Sequence, residues 1–295
     1  MRIQYALFIL LAAMLWGTTG TVQALAPEGV HPIAIGAVRL AIGGLFLLLL
    51  SFGKIHWRGW PLKGTVAAAL CMALYQPFFF SAVSMTGIAI GTVIAIGSAP
   101  VIAGLLEWGI KRKVPQASWW TSTALAIAGC ILLFTNKGSV VADPRGILLA
   151  LVAGASFAGY TMISGTLVNR RETLPVVAVV FMLGAFFLTP FLFLYDLSWL
   201  MEARGAGVAL HLGVVATGLA YLLFVRGLVK VPASTAVTLS LAEPLTATML
   251  GVFLIGESLD VLSWLGVGLL LLGIMLLVGK QGVDSDKDKG QLRSA

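Results

Sequence analysis

Charged residues are scarce in this chain: they make up only 11% of its 295 residues, whereas hydrophobic residues make up 59%. Soluble globular proteins carry roughly 25% charged residues, and a folded soluble domain needs that charge to cover its surface. The composition therefore excludes an ordinary soluble protein and predicts a chain solvated by lipid. The 34 glycines fit this prediction, because small residues let membrane helices approach one another closely.

The groups that make up most catalytic and metal sites are also scarce. The two cysteines, Cys71 and Cys130, lie inside apolar runs and are expected to be small buried hydrophobes. The three histidines are isolated from one another, and no Gly-rich lysine motif for phosphate binding is present. We therefore expect no metal, no cofactor and no enzymatic activity. The formal charge of +7 is scattered through short segments rather than gathered in a patch, which argues against nucleic acid.

Long apolar runs recur along the chain, each of about 20 residues, the length that crosses a bilayer as a helix. The predicted spans are 5–25, 31–52, 62–84, 88–109, 117–135, 145–167, 175–196, 206–226, 233–255 and 261–279. The first run is too long for a removable signal segment and is taken as the first membrane helix. The fold class is thus an all-α integral membrane protein of ten transmembrane helices. The polar residues 280–295 are expected to form a disordered cytoplasmic tail.

Lysine and arginine are distributed unequally between the two sides of these spans. With the N-terminus inside, 15 of them fall on the cytoplasmic side and 3 on the outer side, and Arg39 lies within a helix. Cytoplasmic segments of membrane proteins carry such an excess. Both termini are therefore expected in the cytoplasm.

The chain also repeats itself, since residues 89–133 align with 233–277 without a gap at a shift of 144. The most informative matches pair Pro100 with Pro244, Trp120 with Trp264 and Gly129 with Gly273. Residues 1–138 and 139–279 are accordingly predicted to be two repeats of five helices each. An odd number of helices makes the second repeat enter the membrane from the opposite side, an inverted topology that many secondary transporters share.

Ionisable residues near the middle of a span are costly and so are candidates for function. Glu243 lies about ten residues into its helix, where it would bind a substrate ammonium, exchange a proton, or bond backbone donors freed by Pro244. Arg39 lies deep in the second span, and either a structural or a functional role is open for it. Glu107, near the end of the fourth span, is expected to reach the membrane interface beside Lys111.

Prolines and aromatic residues supply the remaining candidates. Pro100 and Pro244 occupy equivalent repeat positions, and kinked helices at matching places indicate a hinge near a binding site. Several residues carry polar groups in mid-helix, where they would either line a substrate cavity or simply pack. They are Trp16, Tyr75, Gln76, Tyr160 and Tyr221.

Short motifs in both halves resemble one known family. They are Leu15-Trp16-Gly17, Arg39-Leu40-Ala41, Ser98-Ala99-Pro100, Ala242-Glu243-Pro244, Gly256-Glu257 and Trp264-Leu265-Gly266. In their order and spacing they resemble the drug/metabolite transporter superfamily, specifically its ten-helix proteins with two EamA-type halves, over about residues 5–279. One position departs from the pattern, because the first half has Lys113 where the second has Glu257.

This resemblance implies a secondary transporter of the bacterial inner membrane that works by alternating access. Overall similarity favours exporters of aromatic and other apolar amino acids. Phosphorylated substrates are disfavoured because Arg39 is the one cation expected within a span. An exporter of organic cations, drugs or other small metabolites is the alternative, and a non-transport membrane scaffold is a remote one. The expected partners are a small-molecule substrate and the lipid bilayer, and a monomer is expected.

Overall fold

The computed structural model describes residues 2–112, 114–134, 143–256 and 258–293, and the regular elements within these ranges are all helical. The first half comprises α1 (Arg2–Gln23), α2 (Pro32–Leu50), α3 (Leu62–Thr86), α4 (Ile88–Lys111) and α5 (Ala117–Phe134). The second half comprises α6 (Pro144–Val168), α7 (Thr173–Leu194), α8 (Ala203–Leu228), α9 (Ala233–Leu254) and α10 (Val261–Arg293). A short 3₁₀ helix, Ser198–Met201, precedes α8.

The ten helices confirm the all-α membrane fold. Within the described ranges, nine helices are long and apolar enough to cross a membrane, and the apolar part of α5, Ala117–Leu133, is shorter. In lipid a helix satisfies its own backbone hydrogen bonds, so the length of each apolar run largely decides where a span lies. Lys113, Glu257 and the boundary between residues 138 and 139 lie outside the described residues, so the expectations about them stay predictions.

Local sequence signals explain several helix ends. α2 and α6 each begin with a proline at the first helical position, where no N–H is needed. His31 and Asp143 cap these two helices by accepting hydrogen bonds from nearby backbone N–H groups. Between α3 and α4 stands the single residue Gly87, at φ 80°, a conformation that glycine adopts without strain. The two helices therefore form a tight hairpin.

Two helices depart from a plain α-helix. In α8 the segment His211–Leu219 is π-helical, and π turns inside α-helices are frequent at functional sites. α9 is broken into Ala233–Leu239 and Ala242–Leu250, followed by a π-helical turn, Gly251–Ile255.

The last helix also extends further than the sequence suggests. A disordered tail is expected from Lys280, whereas the structure continues α10 as a helical backbone to Arg293. No proline follows Gly279, and extending an existing helix needs no new nucleus.

The contacts between helices follow the division of the chain into two halves. α2 packs on its counterpart α7, and α5 packs on its counterpart α10. Other large interfaces occur as two equivalents, one for each half. The contact of α3 with α6 corresponds to that of α8 with α1, and the contact of α4 with α6 corresponds to that of α9 with α1. Every large interface thus has its equivalent under exchange of the halves.

Glycines at the α5–α10 interface show the same symmetry at atomic detail. A Cβ atom on Gly129 would lie 2.6 Å from the carbonyl oxygen of Gly266. A Cβ atom on Gly273 would lie 2.7 Å from the carbonyl oxygen of Ser122. The shift of 144 relates Gly129 to Gly273 and Ser122 to Gly266. The two close contacts therefore involve equivalent positions of the two repeats.

Candidate functional site

A cavity lies at the centre of the bundle, between helices of both halves. It is lined by Trp16, Thr19, Gln23, Arg39, Tyr75, Gln76, Phe79, Phe80, Ala95, Ile96, Ala99, Phe157, Tyr221, Ser240 and Glu243. We call the face of the membrane where α1 begins the N-terminal face, and the other the opposite face. The lining extends from the middle of α9 towards Gln23 at the end of α1. The cavity is therefore directed towards the opposite face of the membrane.

The open space in this cavity is about 80 Å³. Pockets for drug-sized ligands measure about 300–1,000 Å³. The cavity is therefore contracted in this conformation and must widen to hold a ligand the size of tryptophan.

Hydrogen-bond donors dominate one part of the lining. Arg39 is 8% exposed, and its Nε donates to Thr217 Oγ1 of the π-helical segment at 3.0 Å. Gln76 is 1% exposed, and its Nε2 has no hydrogen-bond partner; the same holds for Nε1 of Trp16. Unsatisfied buried donors cost free energy of about 1–3 kcal/mol each. Arg39, Gln76 and Trp16 thus bring three hydrogen-bond donor groups to the same cavity.

A single acidic group faces these donors among the described lining residues. Glu243 is partly exposed, lines the cavity, and makes no side-chain hydrogen bond with the described residues. Arg39 lines the same cavity, yet no hydrogen bond or ion pair joins the two side chains in the described structure. The cavity therefore offers a cation and an anion separately to a ligand.

The break in α9 places Glu243 in the cavity. Ser240 and Leu241 form a turn, and the Glu243 N–H donates to the Ser240 carbonyl oxygen at 2.9 Å. Pro244 has no N–H to donate, so the regular α-helical bond at this turn is absent. Pro100, the repeat counterpart, stays inside the continuous helix α4. The two prolines thus occupy matching positions but have different local structures.

Aromatic rings form much of the remaining wall. The Trp16 ring lies 4.7 Å from Tyr221 and 5.9 Å from Phe157, measured between centroids. Tyr75 stacks on Phe79 at 5.5 Å. Rings at these separations attract one another beyond their simple burial, so the wall is a connected aromatic surface rather than separate side chains.

The cavity is closed towards the N-terminal face by a buried layer. Tyr160 is 1% exposed and packs on Tyr221 and Phe181, at 5.7 and 6.0 Å between ring centroids. Closer to that face, Glu107 of α4 accepts hydrogen bonds from the backbone N–H and hydroxyl of Ser234, at 3.3 and 2.7 Å. This contact joins the first half to the start of α9.

Most of the residues expected at the site do line the cavity: Trp16, Tyr75, Gln76, Tyr221 and Glu243, together with Arg39. Tyr160 does not, because it lies in the layer behind Tyr221. The expectation that Glu107 reaches the membrane interface is wrong, since it is 7% exposed and caps the start of α9.

The other polar and aromatic lining residues were not expected from the sequence: Thr19, Gln23, Phe79, Phe80, Phe157 and Ser240. Gln23 carried a weak signal as a polar residue at the end of an apolar run. Phe157 lies three residues before Tyr160 and so shares its helix face, but its phenyl ring is no different in sequence from a lipid-facing one.

As for metal binding, the described residues contain no group of three or more His, Cys, Asp or Glu side chains arranged to hold an ion. The two cysteines are both free thiols, with Cys130 buried and Cys71 half-buried.

Comparison with known protein families identifies the family to which this chain belongs. The model of the EamA-like transporter family matches the chain twice, over residues 3–135 and 144–279. The chain belongs to the EamA-like transporter family. Each match contains five of the ten helices, as the inverted-repeat prediction requires.

Individual relatives agree with this assignment. The uncharacterized transporter YwfM of Bacillus subtilis is 55% identical over 275 residues, covering 92% of this chain and 93% of its own. The uncharacterized inner membrane transporter YicL of Salmonella typhimurium is 25% identical over 280 residues, covering 91% and 93% of the two chains. One solved crystal structure matches with a TM-score of 0.81 at 19% identity, covering 92% of this chain and 95% of that one, which shows the shared fold. This protein is thus a multi-pass membrane transporter.

Proposed function

We propose that this EamA-family transporter exports amino acids, with aromatic and other apolar ones as its main cargo. The observation that carries the proposal is the separation of charge in the cavity. Arg39 and Gln76 would bind the carboxylate of a zwitterion, and the unpaired Glu243 would bind its ammonium group. Charged hydrogen bonds of this kind contribute about 1.5–3 kcal/mol each.

The aromatic wall supports the side-chain preference. Trp16, Tyr75, Phe79 and Phe157 offer ring faces and edges around the contracted space, and aromatic pairs add about 0.5–1.5 kcal/mol beyond burial. The proposal extends the resemblance of the sequence to ten-helix transporters, and within them to the bacterial exporter of aromatic amino acids YddG. A phosphorylated substrate would call for more cations than Arg39 alone among the lining residues.

Transport would proceed by alternating access between the two inverted halves. The conformation described, closed by the Glu107–Ser234 contact and facing the opposite side, would be the outward-facing state of a bacterial inner-membrane protein with both termini in the cytoplasm. The break in α9 at Ser240–Leu241, next to Pro244, would serve as one hinge, and Pro100 would serve as its counterpart in α4.

The test is flux of radiolabelled tryptophan in liposomes that contain the purified protein. Tryptamine lacks the carboxylate and indole-3-propionate lacks the ammonium group, so each should compete roughly 10- to 150-fold more weakly than tryptophan. Glu243→Gln should abolish the discrimination against indole-3-propionate. The exposed Glu172→Gln, outside the cavity, is the matched control.

Export of organic cations is the second candidate, and the unpaired carboxylate of Glu243 favours it. Competition by tryptamine and lipophilic cations, with none by tryptophan, would replace the amino-acid proposal with this one. Flux of neither class would favour a scaffold that does not transport.

A further inference from the structure

A second concavity lies at the N-terminal face, between the start of α3 and the end of α6, and measures about 510 Å³. Its lining consists of Trp60, Pro61, Leu62, Lys63, Gly64, Ile163, Thr166, Leu167 and Arg170. Two of these residues are cations, and none is acidic. We call this surface the α3–α6 groove.

The two cations of the groove are available to a ligand. Lys63 and Arg170 are exposed, and their side chains make no hydrogen bond or ion pair with the residues that the structure describes. The neighbouring Glu172 is exposed and does not belong to the lining. The charge of the groove is therefore uncompensated.

The wall beside these cations is held by side-chain contacts. Arg171 donates from Nη2 to the Arg58 carbonyl oxygen at 2.7 Å, and its guanidinium lies 5.7 Å from the centroid of the Trp60 ring. The Trp60 Nε1 donates to Thr65 Oγ1 at 2.9 Å. The indole thus contacts Arg171 over its ring and Thr65 at its Nε1 edge. Because Arg171 is engaged, Lys63 and Arg170 are the cations of the groove left for a ligand.

The place of the groove in the fold matches the headgroup layer of a membrane. Lys63 and Arg170 lie at the ends of two spans, and the exposed Trp57 and Leu62 flank them. Tryptophan concentrates at membrane–water interfaces, and basic pockets between spans attract anionic lipid headgroups. Below the cations, the half-buried Ile163 continues the groove as an apolar surface towards the membrane interior, beside the buried Leu167.

The equivalent place in the second half is built differently. There, at the start of α8 and the end of α1, Arg204 Nε donates to the Leu25 carbonyl oxygen at 2.5 Å. Trp199, in the segment before α8, is 4% exposed. The cation at this site is thus engaged by the protein, whereas those of the α3–α6 groove are not.

From this combination we propose that the α3–α6 groove binds the phosphate headgroup of an anionic phospholipid, with Lys63 and Arg170 on the phosphate and an acyl chain along Ile163. The groove joins α3 of the first half to α6 of the second. A lipid bound there stabilises the contact between the halves. The proposal rests on the membrane architecture and is independent of which solute the protein carries.

The test compares lipids that differ in headgroup charge. The protein is purified in detergent, and its melting temperature is measured with phosphatidylglycerol and with phosphatidylcholine of the same acyl chains. Wild-type protein should melt at a higher temperature with phosphatidylglycerol, and native mass spectrometry should show one more retained phosphatidylglycerol than in Lys63→Gln/Arg170→Gln. The control Lys54→Gln/Arg226→Gln removes one lysine and one arginine that are exposed and lie outside the groove, and it should behave as wild type.

Three outcomes would overturn the proposal. The first is equal stabilisation by the two lipids in wild-type protein. The second is an unchanged preference for phosphatidylglycerol in Lys63→Gln/Arg170→Gln; because both side chains are exposed, the single variant Lys63→Glu serves if the double variant expresses poorly. The third is full stabilisation by glycerol 3-phosphate in place of the lipid, which would assign the groove to a free phosphate ester.

Discussion

The contact between α5 and α10 gives the sharpest test of how the two halves fit together. In Gly129→Ala the new Cβ would lie 2.6 Å from the Gly266 carbonyl oxygen and 2.6 Å from the Leu270 nitrogen. Both atoms are backbone, so the helices must separate. Overpacking of this kind costs typically about 1–3 kcal/mol.

Gly268→Ala is the matched control, because it lies on α10 and a Cβ there would meet nothing within 4 Å. Replacing glycine by alanine inside a helix stabilises it by roughly 0.5–1 kcal/mol. This gain applies to both variants and cancels in their difference. Gly129→Ala should therefore be less stable than Gly268→Ala by about 1–3 kcal/mol.

The assay is unfolding of purified protein in mixed micelles with increasing dodecyl sulfate, followed by circular dichroism. Gly273→Ala should resemble Gly129→Ala, since its Cβ would lie 2.7 Å from the Ser122 carbonyl oxygen. Equal free energies of unfolding for Gly129→Ala and Gly268→Ala would refute the close packing of these helices.

Three further predictions concern single contacts. Thr217→Val removes the partner of Arg39 Nε and should lower the free energy of unfolding by about 1–3 kcal/mol, while Thr217→Ser should restore it; equal stability of the two would contradict the bond. Ser234→Ala removes the 2.7 Å bond to Glu107 and should destabilise the protein by about 1.5–3 kcal/mol in the same dodecyl sulfate titration, whereas an unchanged midpoint would count against it. Tyr160→Phe should keep the wild-type affinity for tryptophan in liposomes, because Tyr160 lies behind the cavity wall. Gln76→Leu should weaken that affinity roughly 10-fold or more. A larger loss of affinity in Tyr160→Phe than in Gln76→Leu would contradict the assignment of this cavity as the binding site.

The spans were predictable because lipid imposes a simple rule on sequence. A crossing helix needs an uninterrupted apolar run, and the observed helices follow the predicted runs closely, including the turn at Gly87. The repeat was predictable as well, since the matched Gly129 and Gly273 occupy equivalent close contacts. Both features depend on local composition or on direct sequence matches.

The details of the cavity depend instead on how distant helices meet. Tyr160 and Tyr221 look alike in sequence, yet Tyr221 lines the cavity and Tyr160 lies one layer behind it. Glu107 is buried because the start of α9 lies against it, a contact across 127 residues of chain. Neither hydrophobic periodicity nor a short motif predicts a contact between residues so far apart in the chain.

The two prolines make the same point about local structure. Pro100 and Pro244 align in the repeat, but α4 continues through Pro100 while α9 is broken just before Pro244. The π-helical segment of α8 likewise lies where Thr217 meets Arg39 and α2 approaches closely. Packing partners, rather than intrinsic propensity, decide whether such helices bend or break.

The measurement that tests the central claim most directly is the accessibility of the cavity from each side of the membrane. Ser240 lines the cavity at the break of α9, so a membrane-impermeant maleimide can report on Ser240→Cys after Cys71 and Cys130 are replaced by alanine. We expect labelling from both sides of oriented vesicles, with a ratio that shifts when tryptophan is added. Labelling from one side alone, unchanged by tryptophan, would contradict a carrier that alternates access around this cavity.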